Sequence, residues 1–111
     1  MKRISSSETK IVEFTTIRPG EIKLGEIVPR TEIDLINNDD FTKEFSAISA
    51  KYVILGIPED IGVRANHGSP GAKNGYISFL KYFCNMQSNS YTNSKELHIL
   101  GELHFPELIT R

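Results

Sequence analysis

The sequence predicts an α/β domain with an incomplete sheet, and three stretches carry that prediction. Residues 52–57 (Tyr-Val-Ile-Leu-Gly-Ile) form a near-continuous apolar run. Such a run reads as a strand in the middle of a parallel sheet, covered by helices on both faces. Tyr76, Phe79, Leu80, Phe83 and Cys84 recur at i, i+3, i+4, i+7 and i+8, which is one apolar face of a helix. Residues 97–101 (Leu-His-Ile-Leu-Gly) are a second short apolar run between turn formers. They are expected to lie parallel to the first strand and to close a βαβ unit with a right-handed crossover. Two strands are fewer than a stable open parallel sheet uses.

The remaining elements are predicted from local chemistry. Residues 10–16 include Ile11, Val12, Thr15 and Thr16, and this β-branched content predicts a short strand. Pro19-Gly20 is a turn signal. Over residues 21–28, Ile22, Leu24 and Ile27 suggest a half-buried strand or extended arm, weakened by Gly25 and ended by Pro29. Asn38 is the expected cap of a helix, with Asp39 and Asp40 where the macrodipole favours negative charge. Phe41, Phe45 and Ile48 then make one apolar stripe on a helix ending near Ala50. Ser69 suits an N-cap and Pro70 a first helical position, so the helix carrying Tyr76 is expected to begin there. Residues 87–94 are rich in Asn and Ser and read as a loop, and Pro106 interrupts any element begun after the last strand.

Composition excludes several functional classes. The 111 residues bound the chain to one domain, and its formal net charge is −1. Basic and acidic residues are mixed along both halves, so no patch predicts nucleic-acid binding. Cys84 is the single cysteine, which rules out an intrachain disulfide and a cysteine-based zinc site and agrees with a cytoplasmic setting. No apolar run approaches the roughly 20 residues that cross a bilayer, and the first residues lack the apolar core of a secretory signal. No membrane partner is expected.

The strand, glycine-rich loop and helix from residue 52 onward mark the place where an α/β protein meets its ligand. A phosphate loop would need G-x-x-x-x-G-K-[ST], but here Gly71 is followed by Ala72, Lys73 and Asn74, and no G-x-G-x-x-G occurs. His67, His98 and His104 are the only histidines, with Glu59, Asp60 and Glu102 nearby in sequence. Their spacing matches no metal-ligand pattern. His98 reads as a structural strand histidine and His104 as an exposed residue after a turn. Cys84 falls on the apolar helix face, where a core role outweighs a nucleophilic one.

Four loop residues remain as substrate-binding candidates: Asp60, Arg64, Asn66 and His67. Each has a local use, in capping loop amides, taking a left-handed turn or pairing with a surface acid. Arg64 and Asn66 can also present a charged fork and an amide to a substrate at the carboxyl end of the strand.

Residues 56–72 (Gly-Ile-Pro-Glu-Asp-Ile-Gly-Val-Arg-Ala-Asn-His-Gly-Ser-Pro-Gly-Ala) resemble the opening strand and loop of the arginase/agmatinase/formimidoylglutamase, or ureohydrolase, family. The shared pattern is Gly-x-Pro-x-Asp-x-Gly-Val before a glycine-rich turn and a helix. The continuation Val-Arg-x-Asn-x-Gly-x-x-Gly-Ala is most similar to the formimidoylglutamase branch. Leu100-Gly101-Glu102 resembles the Leu-Gly-Asp/Glu segment that ends the next strand of the family. The resemblance covers roughly residues 51–104. One departure stands out: where the family usually has Gly-Gly-Arg before the last loop glycine, this chain has His67-Gly68-Ser69-Pro70, so an arginine common there is missing.

The resemblance implies the N-terminal βαβ portion of a three-layer α/β/α parallel-sheet, arginase-like fold. Residues 51–111 would be the first βαβ unit and residues 1–50 an N-terminal extension of short strands and one helix. It implies hydrolysis of a small amidine or guanidino substrate by water held between two Mn²⁺ ions in the intact protein. The family's ligand motifs, Gly-Gly-x-His, Asp-x-His-x-Asp and a later Asp-x-Asp, are absent from these 111 residues. By the family pattern they lie downstream of Arg111, so this chain alone is expected to ligate no metal and to be inactive. The alternative reading is a non-enzymatic α/β domain binding a small anion or a protein. An unpaired sheet edge would favour self-association.

Overall fold

The computed structural model describes residues 3–57, 75–89 and 94–104. Within them the chain forms β1 Arg3–Ser5, α1 Glu8–Phe14, α2 Leu24–Ile27, α3 Asn38–Ala47, β2 Tyr52–Gly56, α4 Gly75–Cys84, a 3-10 turn at Ser94–Glu96 and β3 Leu97–His104. The strands lie in the order β1-β3-β2, with β2 parallel and β1 antiparallel to β3. This is a small mixed α/β domain, and the parallel pairing of the two apolar runs is as expected.

β3 sits in the middle, not β2. Tyr52 and Val53 are about half exposed, at 56% and 48%, because β3 is the only strand paired with β2 among the described residues. β3 also runs past Gly101 to His104, because β1 pairs with residues 102–104. The added strand comes from the first few residues of the chain, too short and polar to show a pattern of their own.

A bulge interrupts β3. Ile54 opposes Ile99, but Leu55 opposes Gly101, leaving Leu100 as the extra residue. A bulge shifts the alternation of side chains by one. Ile99 and Leu100 enter opposite cores, and Glu102, three residues beyond Ile99, returns to the Ile99 face. The Ile99 face packs on α1, α2 and α4 through Ile11, Leu24, Val28, Leu80, Phe83 and Cys84. The other face is smaller, with Ile4, Leu35 and Leu100 at its centre and Phe41 and Ile48 laid against it from α3 and its C-terminal cap. Both cores join residues before 50 to residues after it.

Two sequence expectations are overturned before residue 30. Residues 10–16 do not form a strand; Glu8–Phe14 is helical. Ile11 and Phe14, three apart, both turn to the core, while Val12 is 61% exposed. The Ser6 hydroxyl accepts the Glu8 N–H at the helix start, and Thr15, which suggested a strand, lies past the helix end. Residues 21–28 contain a single helical turn where an extended segment was expected. The buried pair there is Leu24 and Val28, spaced i, i+4, while Ile22 and Ile27 are exposed. Glu26 accepts the Lys23 N–H at 2.8 Å and so closes the turn. Gly25 is required because an added Cβ would lie 2.8 Å from Cβ of Cys84.

Later elements need smaller corrections. Asn37, not Asn38, caps α3, its Oδ1 accepting the Asp40 N–H at 2.9 Å. The helix ends at Ala47, short of Ala50, and Phe45 of the expected stripe is half exposed. On α4, Tyr76, Leu80, Phe83 and Cys84 are buried as the spacing predicts, while Phe79 stacks between Tyr76 and Phe83 near the surface. The expected cap Ser69 and first helical residue Pro70, and Pro106, lie outside the described residues. No described helix is long and apolar enough to cross a membrane.

Candidate functional site

Asp60, Arg64, Asn66 and His67 all fall in residues 58–74, outside the described residues. The described residues do include the place from which that segment departs, the carboxyl ends of the parallel strands β2 and β3. There Gly56 and Glu102 are register partners, and residues from α1 and α4 converge on them.

Glu102 is the centre of this arrangement. It is 6% exposed, an unusual position for a carboxylate, and the bulge at Leu100-Gly101 is what turns it toward the helices. Its Oε1 lies 2.5 Å from Nζ of Lys10, which reaches over from α1 and is 40% exposed. Burying a charge without such a partner is costly, so the pair accounts for the carboxylate being there at all.

Tyr76 stands beside it. Its hydroxyl shares a 2.8 Å hydrogen bond with Oγ of Ser7, a residue that is itself buried. Burial pushes the Tyr76 phenol up to about 12, the Ser7 bond opposes the shift, and the charge of Glu102 adds to it. Glycine at 56 permits this packing, since an added Cβ would run into the Tyr76 ring. The tyrosine is therefore a neutral hydroxyl pressed on the end of β2. In absorbance titration one tyrosine is expected to stay protonated to about pH 12, and Tyr76→Phe to remove that last step. The sign comes from linkage: a phenol that binds its proton more tightly when folded stabilises the fold below its ordinary value of 10.0. That contribution is lost as pH rises through the raised value.

The two described histidines, His98 and His104, each make a hydrogen bond within the fold. His98 donates from Nε2 to Oγ1 of Thr31 at 2.8 Å, and that hydroxyl donates to Oε2 of Glu44 at 2.7 Å. Burial pushes the His98 imidazole down, with Glu44 pulling the other way. His98 is thus the structural strand histidine that its sequence context suggests. His104, expected to be exposed after a turn, is instead within β3, half-buried, with Nε2 2.9 Å from Oγ of Ser5. Cys84 is fully buried, and that burial pushes its thiol up, away from the thiolate a nucleophile needs. No group of three or more His, Cys, Asp or Glu able to hold a metal occurs among the described residues.

A buried carboxylate with a half-exposed cation, and two hydroxyls, border the end of β2, from which residues 58–74 continue. Glu102 was legible through its place in the Leu-Gly-Glu segment. Ser7, Lys10 and the polar role of Tyr76 were not, because their contacts span 69 to 92 residues of sequence and no local pattern marks them. No protein-family model, curated protein or solved structure matches the chain.

Proposed function

We propose that the chain is the N-terminal part of a ureohydrolase-like enzyme that hydrolyses a C–N bond of a linear amidine, with a formimidoylglutamate- or arginine-like substrate. The observation that carries this reading is the position of the motif. The stretch that resembles the family, residues 56–72, leaves the sheet at the carboxyl end of a parallel strand, beside a buried glutamate belonging to the second resembling segment. Ligands of α/β proteins are met at such strand ends. In this reading Asp60, Arg64, Asn66 and His67 form one substrate-side wall of the pocket. The two Mn²⁺ ions and their ligands belong to a later part of the polypeptide, which supplies the attacking hydroxide.

The test is the coding sequence after Arg111. Gly-Gly-x-His followed by Asp-x-His-x-Asp supports the reading, and a continuation without those motifs overturns it. A second measurement addresses the division of labour. Calorimetric titration of the 111-residue chain with Mn²⁺ is expected to show no stoichiometric binding in the micromolar range. Such binding would place metal ligands inside this chain and sink that part of the proposal.

The position of β2, whose second edge pairs with no strand among the described residues, favours a second reading, a self-contained domain that uses that edge for protein contact. Sedimentation distinguishes the two. A concentration-independent monomer with one cooperative melt supports a finished domain, and concentration-dependent association supports a piece of a larger sheet.

A further inference from the structure

The two faces of the sheet are covered very differently. α4 buries four side chains in its ten residues, whereas α3, also ten residues long, buries none. Phe41 and Ile48 touch the smaller core without being enclosed, and Phe45 is half exposed. Two apolar grooves run where α3 meets the sheet. One, of about 360 Å³, is lined by Phe45, Ile48, Ala50, Val53 and Leu100. The other, of about 180 Å³, lies between Phe41 and Phe45 on one side and Ile4, Leu55 and Leu103 on the other. An element that buries so little surface belongs to the low-stability end of a fold.

The ends of α3 are nonetheless fixed. Leu35, fully buried, exchanges both backbone hydrogen bonds with Ile4 of β1, at 2.8 and 2.9 Å. Beyond the helix, β2 begins at Tyr52 and is paired with β3. Between these anchors, among the described residues, a polar connection ties the middle of α3 to the body of the protein. Glu44 accepts the hydroxyl hydrogen of Thr31, and the same hydroxyl oxygen accepts the Nε2–H of His98 on the central strand. Thr31 is 1% exposed, and its backbone N–H donates to the carbonyl of Ile99, so the inner half of the connection is rigid. The outer half is a single carboxylate on a half-buried helical residue.

We propose that α3 is a lid on the second apolar face of the sheet, opening independently of the rest of the domain, and that Glu44–Thr31–His98 is its latch. Closed, the lid covers Leu55, Leu100 and Leu103 with Phe41 and Phe45. Open, it swings on the stretch after Leu35 and before Tyr52, and leaves β3 and the larger core intact.

Native-state hydrogen exchange of the 111-residue chain tests this. In the wild type, amides of residues 41–47 are expected to exchange through an opening that leaves β3 and α4 protected. Glu44→Ala is expected to speed that exchange roughly tenfold, the scale of one hydrogen bond to a charged group, with α4 unchanged. Alanine is the better helix former, so a loss of helix propensity cannot produce the acceleration. Thr31→Val removes the other side of the latch, and the double variant is expected to exchange no faster in α3 than the faster single one. Thr31→Ser retains the hydroxyl and should retain slow exchange, which guards against misreading general damage to the core. The proposal is overturned if α3 exchanges only together with β3 and α4, or if Glu44→Ala leaves its exchange unchanged.

Discussion

Gly101→Ala is expected to destabilise the protein by about 3 kcal/mol or more, chiefly by forcing β1 off the sheet. Two costs combine at this position. Gly101 has φ of +140°, which L side chains rarely adopt, and holding such a conformation costs on the order of 1–3 kcal/mol. An added Cβ would also collide with the carbonyl oxygen of Ser5 and lie 3.0 Å from Cγ2 of Ile4. The first contact is with backbone, which cannot rotate aside as a side chain can, so relief requires separation of the strands. Overpacking of this kind typically costs about 1–3 kcal/mol by itself. Gly20 provides the control. It too has positive φ, +79°, but nothing lies within 4 Å of the Cβ that alanine would add. Gly20→Ala should therefore show the conformational cost alone, about 1–2 kcal/mol. Urea denaturation of the two variants, with hydrogen exchange over residues 3–5, measures the difference. Equal losses in the two would show that the Ser5 contact is relieved without separating the strands. The variant bears on the candidate site as well, because the bulge at Leu100-Gly101 is what brings Glu102 round to Lys10 and Tyr76.

That bulge also shows where sequence reading reaches its limit. The strands at 52–56 and 97–101 and the helix face from Tyr76 to Cys84 were legible because each element carries its own periodicity and the two strands pair through a local βαβ connection. The illegible parts depend on partners far along the chain. The segment Ile11–Phe14 has β-branched composition, yet it folds as a helix because Ile11 and Phe14 find one core face and the Ser6 hydroxyl takes the first free amide. The pair Ile22/Leu24 suggested alternation, but the core accepts Leu24 with Val28 instead, and only packing on α4 decides between those spacings. Likewise, nothing near residues 102–104 announces a strand. Three residues from the amino terminus complete it. The candidate site divides along the same line, since Glu102 stood in a recognisable segment while Lys10 and Ser7 reach it from the other half of the sequence.

Lys10→Met is expected to cost about 2 kcal/mol, and the second substitution Glu102→Gln should recover part of that loss. Removing one partner of a fully buried ion pair typically costs about 3–5 kcal/mol, because the remaining charge is left without compensation. Here the figure is discounted, since Lys10 is 40% exposed and water already screens its ammonium, whereas the Glu102 side chain is 8% exposed. Methionine retains most of the aliphatic length of lysine, so the loss isolates the charge. In Lys10→Met the carboxylate is left beside Tyr76 without its cation. Glu102→Gln removes that charge, so the double variant should be more stable than Lys10→Met alone. A surface ion pair behaves otherwise: each single change costs a few tenths of a kcal/mol, and the second substitution rescues nothing. Chemical denaturation of the four proteins at low and high salt decides between them. A loss below about 0.5 kcal/mol for Lys10→Met, or one that disappears in high salt, would mean that solvent reaches Glu102 freely. A loss near the expected value with rescue by Glu102→Gln would establish a desolvated carboxylate at the carboxyl ends of the parallel strands, held there by its lysine.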